Sequence, residues 1–235
     1  MARVVKEHSV RRNEILDAAQ RLVYTKGYEQ MTIQDILDDL QISKGAFYHY
    51  FDSKQALLEA LIERMGEEVE QLLIPIVRDP HLPVLEKLRR FFPALSGWKT
   101  ARKTFFLSLL RVWYDDDNAI VRQKARALAV KRISPLLTEI ICQGIQEGIL
   151  TTAYPDKVGE VVAFLVLDLS DTVAGLILSW EPGQDVYLRV ERTVAAYTDT
   201  LERALGAPTG SLPLIDAETL AETLKEWFVS PGDNT

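Results

Sequence analysis

The side chains with the clearest chemical capacity lie between residues 32 and 54, where basic, hydroxyl-bearing and aromatic residues are close in sequence. Ser43-Lys44-Gly45-Ala46-Phe47-Tyr48-His49 alone supplies a hydroxyl, an ammonium, a phenol and an imidazole. Such groups bind phosphate oxygens and the polar edges of bases. We therefore interpret this segment as a nucleic-acid-binding surface.

Residue patterns typical of enzymes are missing from the sequence. The three histidines, His8, His49 and His81, are scattered along the chain. There is no metal-ligand spacing, no glycine-rich phosphate loop after a strand, and no cysteine–histidine pair in evident register. We expect no catalytic activity, no metal and no cofactor.

Two short helices joined by a tight turn are predicted to hold the basic and aromatic residues. Thr32 can accept a hydrogen bond from the amide of Asp35, and the Asp35 carboxylate can bond back to Thr32. Ser43 is a natural N-cap for a second helix running from Lys44 to about Tyr50. This is the layout of a helix-turn-helix, whose second helix offers its N-terminal residues to the major groove. The sequence therefore predicts DNA binding.

Flanking helices are predicted to bury this motif. An amphipathic helix is expected from about Val10 to Lys26, ended by Gly27. A second flanking helix, capped by Asp52 and Ser53, is expected to run from 53 to about 77. Phe47 and Phe51 of the motif should then lie in the core.

Several spaced segments closely resemble the TetR family of bacterial transcriptional regulators. The resemblance covers about residues 9–69, with the motif at 32–51. It is carried by Ile15-Leu16-Asp17-Ala18-Ala19, Gly27-Tyr28, Met31-Thr32-Ile33, Asp35-Ile36, Ser43-Lys44-Gly45-Ala46-Phe47-Tyr48-His49-Tyr50-Phe51 and Ser53-Lys54.

The resemblance implies a set of DNA contacts. Family positions matching Tyr48 and Lys54 typically bind phosphates, and helix starts favour phosphate in general. Gly45 would let the backbone approach DNA closely, and Ala46 could meet a thymine methyl group. Each residue taken alone is more often a solvated surface group, so the prediction rests on the set. The predicted contact residues are Thr32, Gln34, Ser43, Lys44, Gly45, Ala46, Tyr48, His49 and Lys54.

Two departures from the family pattern keep an alternative open. Relatives usually have glycine where this chain has Gln41, and Asp38-Asp39 replace small or mixed residues. Either Gln41 adopts a left-handed conformation, at about 1 kcal/mol of strain, or the turn differs. The alternative function is a helical ligand-binding or interaction protein whose first domain no longer binds DNA.

Charge is distributed unevenly along the chain. The net charge is −7, yet residues 1–54 hold equal numbers of basic and acidic side chains, so the acidic excess lies entirely in the remaining 181 residues. A neutral first domain with a basic start is compatible with DNA, while an acidic body would be repelled by phosphates. The charge distribution therefore indicates that residues 1–54 would face the DNA, but it does not prove that they bind it.

The rest of the chain predicts an all-α architecture: an N-terminal three-helix helix-turn-helix domain on a larger helical body, which the resemblance implies is a ligand-binding and dimerisation bundle. Its domains are predicted as 1–53, 54–206, and a linker with an extra helix over 207–235. Helices are expected at about 83–95, 102–114, 118–147 (bent at Pro135), 156–180, 184–206 and 216–228.

The apolar run Val158–Trp180 contains Glu160, Asp168 and Asp171, which argue against a membrane span. No signal peptide is evident, and the lone Cys142 suits a reducing cytoplasm, where we expect the protein.

The body is expected to bind two further partners. From the resemblance, helices 156–180 and 184–206 would form a homodimer, and the bundle would enclose a largely apolar small-molecule effector. Asp168 and Asp171, three residues apart, would need partners if buried: Arg111, a ligand cation or the second subunit. An acid at a wet edge of the interface is an equal alternative. The candidate pocket residues, most of which could equally be core, are Phe91, Phe105, Phe106, Arg111, Trp113, Tyr114, Phe164, Asp168 and Asp171.

Overall fold

All regular structure in the described residues is α-helical. The computed structural model describes residues 8–102, 113–114, 118–179, 181, 185–212 and 214–215. The helices are α1 (His8–Lys26), α2 (Ile33–Leu40), α3 (Lys44–Tyr48), α4 (Lys54–Arg78), α5 (Val84–Thr100), α6 (Ala119–Gln146), α7 (Val158–Leu178) and α8 (Val186–Leu205). The predicted all-α class is confirmed. The helix predicted at 216–228, and most of that at 102–114, lie outside the described residues.

The chain divides into two compact units. Unit 1 comprises Met1–Glu67 and Arg102–Leu128, and unit 2 comprises Glu68–Ala101 and Ala129–Thr235. The boundary falls within α4, which contributes its first half to unit 1 and its second half to unit 2. The domain limits 1–53, 54–206 and 207–235 stay predictions.

The core of unit 1 is built from one apolar face each of α1, α2 and α4, and an aromatic side chain of α3 packs into it. The α3 ring is Phe47, whose side chain is fully buried, and Phe51 just beyond α3 is also buried, as predicted. Burying a side chain of this size contributes roughly 1.5–3 kcal/mol. The other large, fully buried side chains of this core are Ile15, Leu16, Met31, Ile36, Leu57, Leu58 and Leu61.

The turn between α2 and α3 keeps the left-handed conformation without glycine. Gln41 has φ 51° and ψ 47°, and the next amide, of Ile42, donates to the carbonyl of Leu37 at 3.0 Å. The Gln41 side chain donates to the carbonyl of Asp38 at 2.7 Å, a bond that glycine could not form. The first of the two alternatives for this turn is therefore the one observed.

The core of unit 2 joins the second half of α4 with α5, most of α6, α7 and α8. Gly159 of α7 lies so close to α6 that a β-carbon there would be 2.1 Å from the Thr138 hydroxyl oxygen. After α8 the chain folds back on this core, since Leu212 and Leu214 are buried. The buried Glu202 carboxylate accepts the Leu212 amide at 3.1 Å, so the predicted linker is packed at this point.

One side of α7 carries exposed apolar side chains. Val161 is 50% exposed, Phe164 44% and Leu178 39%. By length and composition alone α7 could cross a membrane, and only 17% of its most apolar stretch is buried. Its charged residues, Glu160, Asp168 and Asp171, argue against a membrane span.

Candidate nucleic-acid interface

The short helix α3 is held in place by a cap at one end and by a buried ring in its middle. The Ser43 hydroxyl accepts the amide of Ala46 at 3.2 Å. A five-residue helix has little stability of its own, so α3 depends on tertiary contacts. Phe47 provides the main one, because its ring is completely buried in the unit 1 core. The remaining side chains of α3 are thereby fixed toward the outside.

The exposed face of α3 carries the predicted contact residues. Ser43, Lys44, Gly45, Tyr48 and His49 are exposed and Ala46 is half-buried. Around Gly45, a β-carbon would meet no described atom within 4 Å apart from the adjacent residues and the backbone of α3, and the backbone is not in the left-handed region. Neither crowding nor conformation within the chain therefore requires glycine here. A close approach by an external partner would.

The Tyr48 ring is supported by its neighbours. It lies edge-on to Phe47, with ring centroids 5.4 Å apart, while the Lys44 ammonium lies 5.9 Å from the Tyr48 ring. Tyr48 is nevertheless 41% exposed. An ordered phenol beside a lysine is suited to donate to a phosphate oxygen.

Lys54 is positioned at the start of α4 by the loop between α1 and α2. Its ammonium lies 4.4 Å from the centre of the Tyr28 ring and donates to the carbonyl of Glu29 at 3.2 Å. Burial lowers the pKa of Lys54, although the charges of Glu29 and Asp35 oppose this shift. Burial also raises the pKa of the Tyr28 phenol. A lysine held in this way presents its charge with less conformational freedom to lose on binding.

The start of α2 is already occupied by a carboxylate. The backbone amide and hydroxyl of Thr32 donate to Asp35 at 2.8 and 2.9 Å, and the Asp35 amide donates back to the hydroxyl at 3.1 Å. Hydrogen bonding to Lys26 and to Thr32 lowers the pKa of Asp35 to about 2. The predicted capping box is confirmed. For Thr32 to bind a phosphate, it would have to share its donors with Asp35.

The two other acids of α2 are bound by neighbouring side chains. Gln34 donates to Asp38 at 2.8 Å, and Arg21 of α1 forms an ion pair with Asp39 at 2.7 Å. The negative charge of Asp39 is thus locally compensated. Gln34, one of the predicted contact residues, would have to exchange its bond with Asp38 for one to DNA.

The predicted pocket residues are distributed over both units. Trp113 and Tyr114 belong to unit 1, where Trp113 packs against the core and the Arg122 guanidinium lies 5.5 Å from the Tyr114 ring. Phe91 is fully buried in the unit 2 core, whereas Phe164 is exposed on α7. Phe105, Phe106 and Arg111 lie outside the described residues. A shared pocket stays a prediction.

Asp168 and Asp171, two of the three acids of α7, have partners that the sequence did not reveal. Asp168 accepts a hydrogen bond from the Tyr197 hydroxyl of α8. Next to Asp171, the Ser170 hydroxyl accepts from the Lys99 ammonium of α5 at 2.9 Å. Burial lowers the pKa of Lys99, and the Asp171 charge opposes this effect. Polar side chains of α5 and α8 therefore both contact α7 near Asp168 and Asp171 in unit 2.

Sequence comparisons match two separate segments of the chain to known domains. The family described as bacterial regulatory proteins, tetR family, matches residues 15–61, and a tetracyclin repressor-like C-terminal domain matches residues 113–176. An uncharacterized HTH-type transcriptional regulator of Bacillus subtilis, YfiR, is 29% identical over 148 residues, covering 60% of this chain and 71% of the relative. The HTH-type transcriptional regulator TtgR of Pseudomonas putida is 25% identical over 185 residues, covering 77% and 85%.

Solved structures share the fold. The Thermus thermophilus FadR structure, described as a TetR-family transcriptional repressor in complex with lauroyl-CoA, superposes with a TM-score of 0.59 at 20% identity. The alignment covers 85% of this chain and all of that one. Salmonella enterica GusR gives a TM-score of 0.57 at 18% identity, covering 87% and 100%.

Proposed function

Since this chain belongs to the TetR family of bacterial regulatory proteins, and is therefore a DNA-binding transcriptional regulator and not an enzyme, we propose that it is a ligand-controlled repressor. In this proposal a homodimer binds a palindromic operator in the cytoplasm. A small, largely apolar molecule then binds unit 2 and releases the DNA.

The proposed operator contact rests chiefly on the exposed face of α3. Its polar and basic side chains are held outward by the buried Phe47, and Gly45 has free space around it. Lys54 adds a fixed positive charge at the start of the next helix. This combination suits a helix that enters the major groove while its flanks bind phosphates.

The alternative, a unit 1 that no longer binds DNA, drew its support from Gln41 and from the acids of α2. Gln41 keeps the left-handed conformation of the turn, with φ 51°. Asp39 is paired with Arg21, and Asp38 accepts from Gln34. Because these acids already have partners, they give little reason to reject DNA binding.

A homodimer is proposed from the exposed apolar side chains of α7. Val161, Phe164 and Leu178 are exposed there, and Tyr187 and Leu188 are exposed on α8. A second copy pairing the same two helices would cover these side chains symmetrically. Two α3 helices about one helical turn of DNA apart would then read the two halves of a palindrome.

Ligand control is proposed to act through α4, which belongs to both units. A ligand that binds unit 2 better in another conformation would shift the second half of α4, and with it the first. The coupling is reciprocal, so the ligand must bind more weakly to the DNA-bound dimer. The typical coupling, about 1–3 kcal/mol, corresponds to about 5- to 150-fold in affinity.

The proposal is tested by selecting binders from a random pool of DNA duplexes with the purified protein and sequencing them. Enrichment of a palindrome is expected, and light scattering should give the mass of a dimer. Enrichment of an unsymmetrical site by a monomer would contradict the homodimer. A folded protein that enriches no sequence, with or without candidate ligands, would favour the alternative function.

A further inference from the structure

Three aromatic rings join the start of α1 to the end of α3. The His8 ring lies 5.5 Å from the His49 ring and 4.6 Å from the Tyr50 ring, and His49 and Tyr50 are 4.9 Å apart. Both histidines are exposed, while Tyr50 is half-buried. Because His49 directly follows Tyr48, this cluster borders the exposed face of α3. Two of the three histidines of the chain therefore meet beside the proposed DNA surface.

Neither imidazole is engaged by a polar group of the described residues. Within the described residues both rings contact aromatic rings, and no hydrogen bond or ion pair to another described residue involves either imidazole. No described residue therefore competes with a ligand for the ring nitrogens.

Most charged side chains of the helices that form the cluster contact other residues instead of the two histidines. On α1, Arg11 pairs with Glu14 at 2.8 Å and the Arg12 guanidinium lies 5.3 Å from the Phe51 ring. On α3, the Lys44 ammonium lies against the Tyr48 ring. The nearest acids in sequence are Glu7, which precedes His8, and the exposed Asp52.

Two neighbouring imidazoles make a pH-dependent anion site. Imidazole gains its charge within the range pH 5 to 8, and two imidazolium ions at this spacing repel each other. An anion between them removes the repulsion and accepts an N–H from each ring. A divalent metal is a poorer fit, since no group of three or more metal-ligating residues occurs among the described residues.

We propose that His8 and His49, in their protonated forms, bind one backbone phosphate of the DNA. This assignment rests on the proposed function, because it requires the DNA to lie along α3. It makes His8, which precedes the family motif, part of the binding surface. It also makes DNA affinity rise as the pH falls.

The pH effect can be traced to few groups. Histidine is the side chain whose unperturbed pKa places its change of charge between pH 5 and 8, and the chain has three histidines. Each proton taken up on binding changes the affinity by up to about tenfold per pH unit. We expect Kd for the selected duplex to be about tenfold lower at pH 6 than at pH 8, at constant salt and with EDTA present.

The test compares the ratio of Kd at pH 8 to Kd at pH 6 in matched variants. His8→Gln, His49→Gln and the double variant should each reduce the ratio to about one or two, with the double no lower than the singles because one phosphate is shared. His81→Gln, which changes the third histidine, should keep the wild-type ratio. Thermal melting at both pH values checks that each variant is folded.

A neutral methylphosphonate at the corresponding position of both half-sites should abolish the pH effect of the wild-type protein and leave His8→Gln unchanged. A wild-type ratio near one, or an undiminished ratio in His8→Gln, would overturn the phosphate assignment while leaving the proposed function intact. Loss of the effect on adding EDTA would assign the pair to a metal instead and would also overturn it. Failure to bind any duplex at either pH would overturn the proposed function as well.

Discussion

Lys54 offers the most quantitative test of the phosphate contacts, through the replacement Lys54→Gln. Glutamine is neutral but can still donate to the carbonyl of Glu29, which Lys54 contacts at 3.2 Å. The variant loses the ammonium 4.4 Å from the Tyr28 ring, at a cost in unfolding free energy of about 0.5–1 kcal/mol. Unit 1 should therefore remain folded while the charge at the start of α4 disappears.

The expected effect follows from counterion release. Each phosphate neutralised by a protein charge contributes about 0.9 to the slope of log K against log salt. A dimer with two copies of Lys54→Gln should therefore show a slope smaller by about 1.8, and between 50 and 200 mM salt this amounts to about a twelvefold difference in relative affinity.

Fluorescence anisotropy of the selected duplex at five or six salt concentrations measures this slope. Lys131→Gln is the matched control, because Lys131 is exposed and belongs to unit 2. It should leave the slope unchanged. A wild-type slope in folded Lys54→Gln, or an equal loss in Lys131→Gln, would refute the assignment of Lys54 to a phosphate.

Three further predictions concern stability and assembly. The pKa of Asp35 is lowered to about 2 by its bonds to Lys26 and to Thr32 at the α2 cap. Its contribution to the free energy of unfolding is therefore present above about pH 4 and is lost as the pH falls toward 2, so melting curves should show Asp35→Asn losing less stability over this range than wild type. Phe164→Glu should shift the dimer toward monomer in sedimentation equilibrium, and an unchanged dimer would place the interface elsewhere. Gly159→Ala should lower the free energy of unfolding in urea by about 1–3 kcal/mol, because its β-carbon would collide with α6. Gly175→Ala on the same helix has open space around it and should not destabilise the protein, so equal effects of the two variants would contradict the packing of α7 on α6.

Local signals made much of unit 1 predictable. The capping box at Thr32 and the Ser43 cap are encoded within three residues, so the starts of α2 and α3 could be predicted. The burial of Phe47 followed from helical spacing. Gln41 left two alternatives, because the side-chain bond that accompanies its left-handed conformation depends on the exact turn geometry.

Contacts between distant segments could not be predicted. The support of Lys54 by Tyr28, 26 residues earlier, requires the loop after α1 to meet the start of α4. Asp168 is bound by Tyr197, on the next helix. The proline and glycine residues of 207–215 suggested a linker, whereas Leu212 and Leu214 are buried in the unit 2 core. In each case the contact depends on the tertiary packing of distant segments, which the spacing of residues along a short stretch of sequence does not indicate.

The central claim, that the exposed face of α3 binds duplex DNA, is tested most directly by the affinity of Tyr48→Ala for the selected duplex. Tyr154→Ala is the control, since Tyr154 is exposed but lies just before α7 in unit 2. Tyr48→Ala should weaken binding at least about tenfold, as a hydrogen bond to a charged group such as phosphate is worth about 1.5–3 kcal/mol in each half-site. Tyr154→Ala should bind like wild type. Wild-type affinity in folded Tyr48→Ala would contradict the claim.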